Sequence, residues 1–284
     1  MVKSVGITSN GLVLKSQLDR LVEVMSAVYA ALGRGLSVKL NCVVMRGLND
    51  NEVASFVELT RELPLDVRFI ELMPFDDNNW DASKMVPYFE ILDSLADKVP
   101  ILYTLLCLSS RIFQFFFQGY LIGKDDKSLR DPHDTTKWYR VFRSPASPPE
   151  PFPFPATENR EGDEWRSDVA LVDRTISSTV VHPEAAADGA MSYSGRVGFI
   201  TSMSSHFCAG CNRLRVTADG KVKVCLFGAD ELDLLSSIRS GLSDEELVDF
   251  IGEAVRRKKQ ALGGHGTPAA IAVTQNRPMI LIGG

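Results

Sequence analysis

Leu36-Ser37-Val38-Lys39-Leu40-Asn41-Cys42-Val43-Val44-Met45 is the run that decides the fold class. It is apolar and β-branched around Lys39 and Asn41, which predicts a buried strand. Upstream, Leu18 to Leu32 carries apolar residues at 18, 21, 22, 25, 28 and 32, one face of a helix that Gly33 and Gly35 end. Downstream, Asn49 followed by Glu52 reads as a capping box opening a helix over Asn51 to Leu63, closed by Pro64. Val67 to Met73 is the next strand and Pro87 to Leu95 the next helix, while Val2 to Ile7, before the Asn10-Gly11 turn, is a first strand. Strands alternating with helices across short connections predict parallel strands, hence an α/β sheet or barrel. Ligands of such folds bind at the carboxyl ends of the strands. Lys39, Arg68 and Met73 lie in or at the ends of strands and are ligand candidates. As isolated residues Lys39 and Arg68 also read as strand-end ion-pair partners, and Met73 as core filler.

The rhythm stops after about residue 99. Val99 to Ile122 is strongly apolar, but Pro100, Arg111, Gln114 and Gln118 interrupt it and no second span follows, so a buried segment is expected rather than a membrane helix. Ser144 to Pro155 holds six prolines in twelve residues, and the chain from there to about Ser194 is polar and aperiodic, which predicts a disordered insertion. Order returns at Gly195, with a strand over Val197 to Met203. Ser243 and Glu246 form a capping box before a helix over Leu247 to Lys259, whose basic end Arg256-Arg257-Lys258-Lys259 suits a helix C-terminus. The expected division is 1–99, 100–194 and 195–284.

The 284 residues are 45% hydrophobic and 24% charged, ordinary for a globular protein, with a net charge of -5. That balance gives no electrostatic footprint for nucleic acid, so any anion site must be local. Five cysteines, three of them clustered, argue against a secreted disulfide framework and for a metal site in a reducing compartment. The start shows neither a signal-peptide core nor an Arg-rich transit segment.

The clustered cysteines are Cys208, Cys211 and Cys225, spaced Cys-x2-Cys-x13-Cys. Arg213 to Ala218 and Lys221 to Leu226 are strand-like, and Asp219-Gly220 between them signals a two-residue hairpin. Folding about that turn sets Leu214 opposite Cys225 and returns the third cysteine to the first two. Arg213 and Arg215 share one strand face, an anion site. In strict register Cys225 lies on the Leu214 face, away from both arginines; a bulge or a one-residue slip would change this. Three thiolates fit structural zinc with His206 as fourth ligand, or an iron–sulfur cluster with one iron left open. The neighbouring arginines favour the cluster.

The stretch from Phe199 through Ser202, Ser205 and Phe207 to Arg215 resembles the C-terminal region of the GTP 3',8-cyclase family, radical S-adenosylmethionine enzymes of molybdenum cofactor biosynthesis. Val38 to Asp50, Val67 to Pro74 and the final Gly283-Gly284 are similar to the same family. The resemblance implies an incomplete triosephosphate-isomerase-type (β/α) barrel plus a C-terminal α+β cluster-binding region. It implies two 4Fe-4S clusters, one cleaving S-adenosylmethionine to a radical that abstracts hydrogen from the GTP ribose, the other holding the guanine. The product is (8S)-3',8-cyclo-7,8-dihydroguanosine 5'-triphosphate. By position Cys208, Cys211 and Cys225 would ligate the second cluster; Thr8, Lys39, Arg68, Arg213, Leu214 and Arg215 would contact GTP; Met73 would contact S-adenosylmethionine. Gly283-Gly284 would thread into the site, where absent side chains permit close approach. A cyclic pyranopterin monophosphate synthase downstream, a homodimer, and a mitochondrial matrix or bacterial cytoplasmic location go with the family.

The family's first cluster needs a Cys-x3-Cys-x2-Cys triplet, and these residues hold none; Cys42 and Cys107 are isolated. The chain therefore reads as an N-terminally truncated member with insertions at 100–118 and 142–194. It is expected to be inactive alone, the alternative being a cluster- or zinc-binding remnant that binds GTP or a partner.

Overall fold

The structure is a computed structural model that describes residues 4–9, 18–95, 114–117, 120–124, 134–143 and 191–282. Strand β1 (Ser4–Ser9), helix α1 (Leu18–Gly33), β2 (Ser37–Val44), α2 (Val53–Glu62), β3 (Asp66–Glu71) and α3 (Tyr88–Leu95) follow in order. Strands β4 (Gln114–Phe117), β5 (Tyr120–Lys124), β6 (Lys137–Arg143), β7 (Met191–Ser192) and β8 (Arg196–Ile200) come next. The remaining elements are β9 (Arg215–Val216), β10 (Lys221–Lys223), β11 (Leu232–Asp233), α4 (Leu234–Arg239), α5 (Asp244–Arg256) and α6 (Pro268–Ala272). These residues form two compact units: 1–70, 86–132 and 136–200 make the first; 71–85, 133–135 and 201–284 make the second.

The first unit is a sheet ordered β1-β2-β3-β8-β6-β5-β4, with β7 on β6. β1 runs parallel to β2 and β3 to β8, the parallel pairing that the strand–helix alternation predicts. β6, β5 and β4 then add antiparallel. β2 differs from its expected two-sided burial. Val38, Leu40, Cys42 and Val44 are buried while Lys39, Asn41 and Val43 are not, so the strand has one core face and one half-open face. The core gathers on Phe199, whose ring centroid lies 5.7 Å from that of Phe69, 5.2 Å from that of Tyr88 and 5.5 Å from that of Tyr139. Trp138 pairs across from Gly198, where a Cβ would come within 2.9 Å of the indole and 2.4 Å of Thr136. Arg196 holds Asp66 through both carboxylate oxygens at 2.7 and 2.9 Å and lies over the Trp138 ring, joining β3, β8 and β6.

Several expectations change here. Between the expected insertions at 100–118 and 142–194, β6 carries the buried Trp138, Tyr139 and Val141 into the first unit's sheet. The described part of Val99–Ile122 is strand, β4 and β5 pairing as a hairpin, and no helix among the described residues is long and apolar enough to cross a membrane. Asn49 does not cap its helix turn. Its side chain instead accepts from the Met45 N–H at 2.7 Å and donates to the Val43 carbonyl at 2.9 Å, closing the β2–α2 connection. An asparagine offers donor and acceptor at once, and the connection uses both. Ser243 and Glu246 do form the expected capping box on α5. The Pro-rich run and residues 144–190 lie outside the described residues.

Candidate functional site

In the first unit, parallel register pairs Thr8 of β1 with Asn41 of β2. On the neighbouring strand β3, Arg68 Nε donates to Asn41 Oδ1 at 2.8 Å. Lys39 lies two residues before Asn41 on the same half-open face of β2. Backbone pairing and pleat thus put Thr8, Lys39 and Arg68 on three successive strands, with the Asn41 side chain accepting from Arg68. The side chain of Thr8, and Gly283-Gly284, lie outside the described residues.

In the second unit the cysteines sit on a scaffold built from Glu71. Its buried carboxylate accepts the N–H groups of Met203 and Ser204 at 2.7 and 2.8 Å and the Ser204 hydroxyl. Thr201 Oγ1 donates to the Ser205 carbonyl at 2.6 Å. The loop so fixed leads into a 3-10 turn at Cys208–Gly210, closed by the Cys211 N–H to the Cys208 carbonyl at 3.1 Å. Cys208 and Cys225 pack against Met203, Phe227, Leu262 and Ile271. Met73 packs against the same cluster, so the structure gives it a core contact.

The thiols act on one another. Burial pushes the Cys208 thiol up, as do Cys225 and Cys211, although the Leu262 N–H donates to its sulfur at 3.3 Å. Burial also works against ionisation of Cys211, but the Arg213 backbone and the Lys258 ammonium outweigh it, and Cys211 lies below the ordinary thiol value. Lys258 Nζ is 3.3 Å from Cys211 Sγ and 2.8 Å from its carbonyl oxygen. Isolated Cys42 is the contrast: burial, then the Glu52 carboxylate, pushes its thiol up to about 12.

The hairpin corrects the expected register. Val216 pairs with Val222 and Arg215 with Lys223, and the Thr217 N–H donates to the Lys221 carbonyl at 2.8 Å, so the loop is the three residues 218–220, with Gly220 at φ 77°. A left-handed glycine ending a three-residue loop adds one residue to the two-residue turn read from Asp219-Gly220. Continued two residues further, this register would set Cys225 opposite Arg213 rather than Leu214. The thiols and the arginines therefore share a neighbourhood. Burial and the Arg213 charge lower Arg215, and Cys211 and Cys225 act in the other direction. Arg213 donates to Thr135 Oγ1 at 3.0 Å and lies over the Phe207 ring. Leu214, between them, is exposed.

Among the described residues, no three His, Cys, Asp or Glu side chains close on one point as ligands of a single metal ion. His206 is exposed and the cysteines are unpaired thiols. Two of the three sulfurs accept from N–H groups, Cys208 from Leu262 and Cys211 from Lys258.

Sequence reasoning missed Glu71, Lys258 and the Leu262 N–H. Lys258 stood in the basic run read as a helix terminus. It is one residue past the C-cap of α5, so its chain turns inward. The tail is anchored nearby. Arg277 binds Asp219 at 2.7 and 3.1 Å and Glu231 at 2.5 Å. Lys223, with a fully buried side chain, donates to the Gly228 carbonyl at 2.6 Å and to Asn276 Oδ1 at 3.2 Å.

The sequence model of the family Molybdenum Cofactor Synthesis C matches residues 171–263, beginning inside the stretch expected to be an insertion. GTP 3',8-cyclase, mitochondrial, of Arabidopsis thaliana is 36% identical over 314 residues, covering 100% of this chain and 61% of that protein. Molybdenum cofactor biosynthesis protein 1 of Homo sapiens is 36% identical over 261 residues, covering 92% of this chain and 29% of that protein. GTP 3',8-cyclase of Desulforamulus reducens is 31% identical over 245 residues, covering 86% and 54%. The chain thus spans about a third to three-fifths of the length of these relatives.

Proposed function

We propose, from the premise that the chain is a homologue of the GTP 3',8-cyclases along nearly its whole length, that it carries the GTP-binding and second-cluster half of that activity in molybdenum cofactor biosynthesis. The observation that carries the proposal is the placement of Arg215 within electrostatic reach of Cys211 and Cys225. A thiolate group and an anion-binding guanidinium then serve one ligand.

The donor set fits a 4Fe-4S cluster held by Cys208, Cys211 and Cys225. When bound, such a cluster carries electrons and leaves one iron without a protein ligand. The protein's own groups hold and orient. The Leu262 N–H and the Lys258 ammonium stabilise charge on two sulfurs, and Arg213 and Arg215 are assigned to the anionic nucleotide. Lys39, Arg68 and Thr8 are assigned to GTP through the same polar chemistry, Met73 to S-adenosylmethionine, and the first unit's sheet to an incomplete barrel. A homodimer, a downstream cyclic pyranopterin monophosphate synthase and a mitochondrial location in a eukaryote belong to the same reading.

Anaerobic reconstitution tests it. The purified chain is expected to bind about four irons, to turn brown, and to lose most of its iron in Cys208→Ser, Cys211→Ser and Cys225→Ser. Arg213→Met and Arg215→Met should each weaken GTP binding by about tenfold, the loss of one charge-assisted contact. A colourless protein holding zinc overturns the cluster. These residues hold no Cys-x3-Cys-x2-Cys triplet, so this chain alone should form no 5'-deoxyadenosine from S-adenosylmethionine. Formation of that product defeats this part of the proposal.

A further inference from the structure

The basic run after α5 contains a residue that neither helix termination nor nucleotide charge accounts for. Lys258 Nζ reaches three acceptors on one short segment: the Cys211 carbonyl at 2.8 Å, Cys211 Sγ at 3.3 Å and the Arg213 carbonyl at 3.3 Å. An ammonium has three protons, and here each has an acceptor. Four residues later the same strand of chain supplies the Leu262 N–H to Cys208 Sγ at 3.3 Å. One segment, 258–262, therefore donates to both sulfurs of the Cys-x2-Cys turn. Arg256 stays within its own helix, and Lys259 packs along Gly264, so the contact belongs to Lys258 and not to the run as a whole.

We infer that Lys258 is a positioning residue that ties Cys211 to the Arg213 backbone, so that the cluster's electron affinity and the placement of the nucleotide-side arginine are set by one ammonium. The inference rests on the cluster reading above. A hydrogen bond and a positive charge at a ligating sulfur stabilise the reduced, more negative cluster and raise its potential. Its removal does the reverse. Because the same Nζ also holds the Arg213 carbonyl, its removal frees the segment that carries the guanidinium.

The test is redox titration of the reconstituted chain followed by electron paramagnetic resonance, with GTP binding measured on the same samples. Lys258→Met is expected to lower the midpoint by about 59 mV, the one-electron equivalent of a tenfold change in equilibrium, and to weaken GTP binding several-fold. Lys258→Arg, which keeps the charge and the donors, should recover most of both. Arg256→Met, the same charge change two residues away, should move neither. If Lys258→Met folds poorly, Lys258→Gln gives the same readout with a neutral donor in place. Iron retained with an unchanged potential in Lys258→Met, or an equal shift in Arg256→Met, overturns the inference and leaves the cluster reading standing. An unsubstituted chain that holds no iron overturns both.

Discussion

Glu71 shows how a single side chain prepares the cysteine turn. It is buried, and its two oxygens take three donors from Met203 and Ser204. Glu71→Gln keeps one oxygen for the two N–H groups but removes the charge that strengthens all three contacts. The expected cost is about 1–3 kcal/mol, read by thermal unfolding, together with slower iron uptake because the loop to Cys208 loosens. The thiols offer a second check at this scale. With its thiol pushed up to about 12, Cys42 is only about one part in ten thousand thiolate at pH 8, whereas Cys211 lies below the ordinary value. Iodoacetamide on the metal-free chain should label Cys211 well before Cys42, as peptide mass spectrometry would show; the opposite order would defeat the assignment of the Lys258 contact.

At the scale of elements, the β9–β10 hairpin decides what the cysteines face. Asp219-Gly220 was legible as a turn, but its loop length was not. Both a two-residue and a three-residue loop accept that dipeptide, and only the pairing of Val216 with Val222 distinguishes them. Gly220 is required twice over, by its φ of 77° and by Leu235, whose Cβ would lie 2.4 Å from an added methyl. Gly220→Ala should therefore cost more than the roughly 1 kcal/mol of an unhindered left-handed position. It should also reduce iron retention, since the loop sets where Cys225 returns. Full iron content with unchanged stability would show that the loop does not set that position.

At the scale of the whole molecule, two units are each held by contacts between residues far apart in sequence. Asp66 meets Arg196 in the first, and Asp219 and Glu231 meet Arg277 in the second. The Arg277 and Thr217 hydrogen bonds hold the exposed Asp219 carboxyl at about 2, below its ordinary 3.8. A depressed folded value stabilises the fold above the unfolded value. That contribution begins to be lost below about pH 3.8 and is gone once the pH has fallen through about 2. A carboxyl NMR titration should place the Asp219 midpoint near 2 in the native chain and higher in Arg277→Met, still below the ordinary value because the Thr217 hydrogen bond remains.

The sequence by itself determined the alternation of strands and helices from Ser4 to Leu95, because hydrophobic period and turn residues are local. It also showed three clustered cysteines with two arginines beside them, because residue type and spacing are written in the chain. Only the tertiary structure brought Trp138 and Tyr139 into the sheet, since a strand earns its place from partners distant in sequence. Register, too, was decided there: it fixed the one-residue shift that brings Cys225 toward the arginines, and it left β2 one open face. The inward turn of Lys258 was set by packing after the helix end, where a run of like charges gives no local sign of which member leaves the solvent.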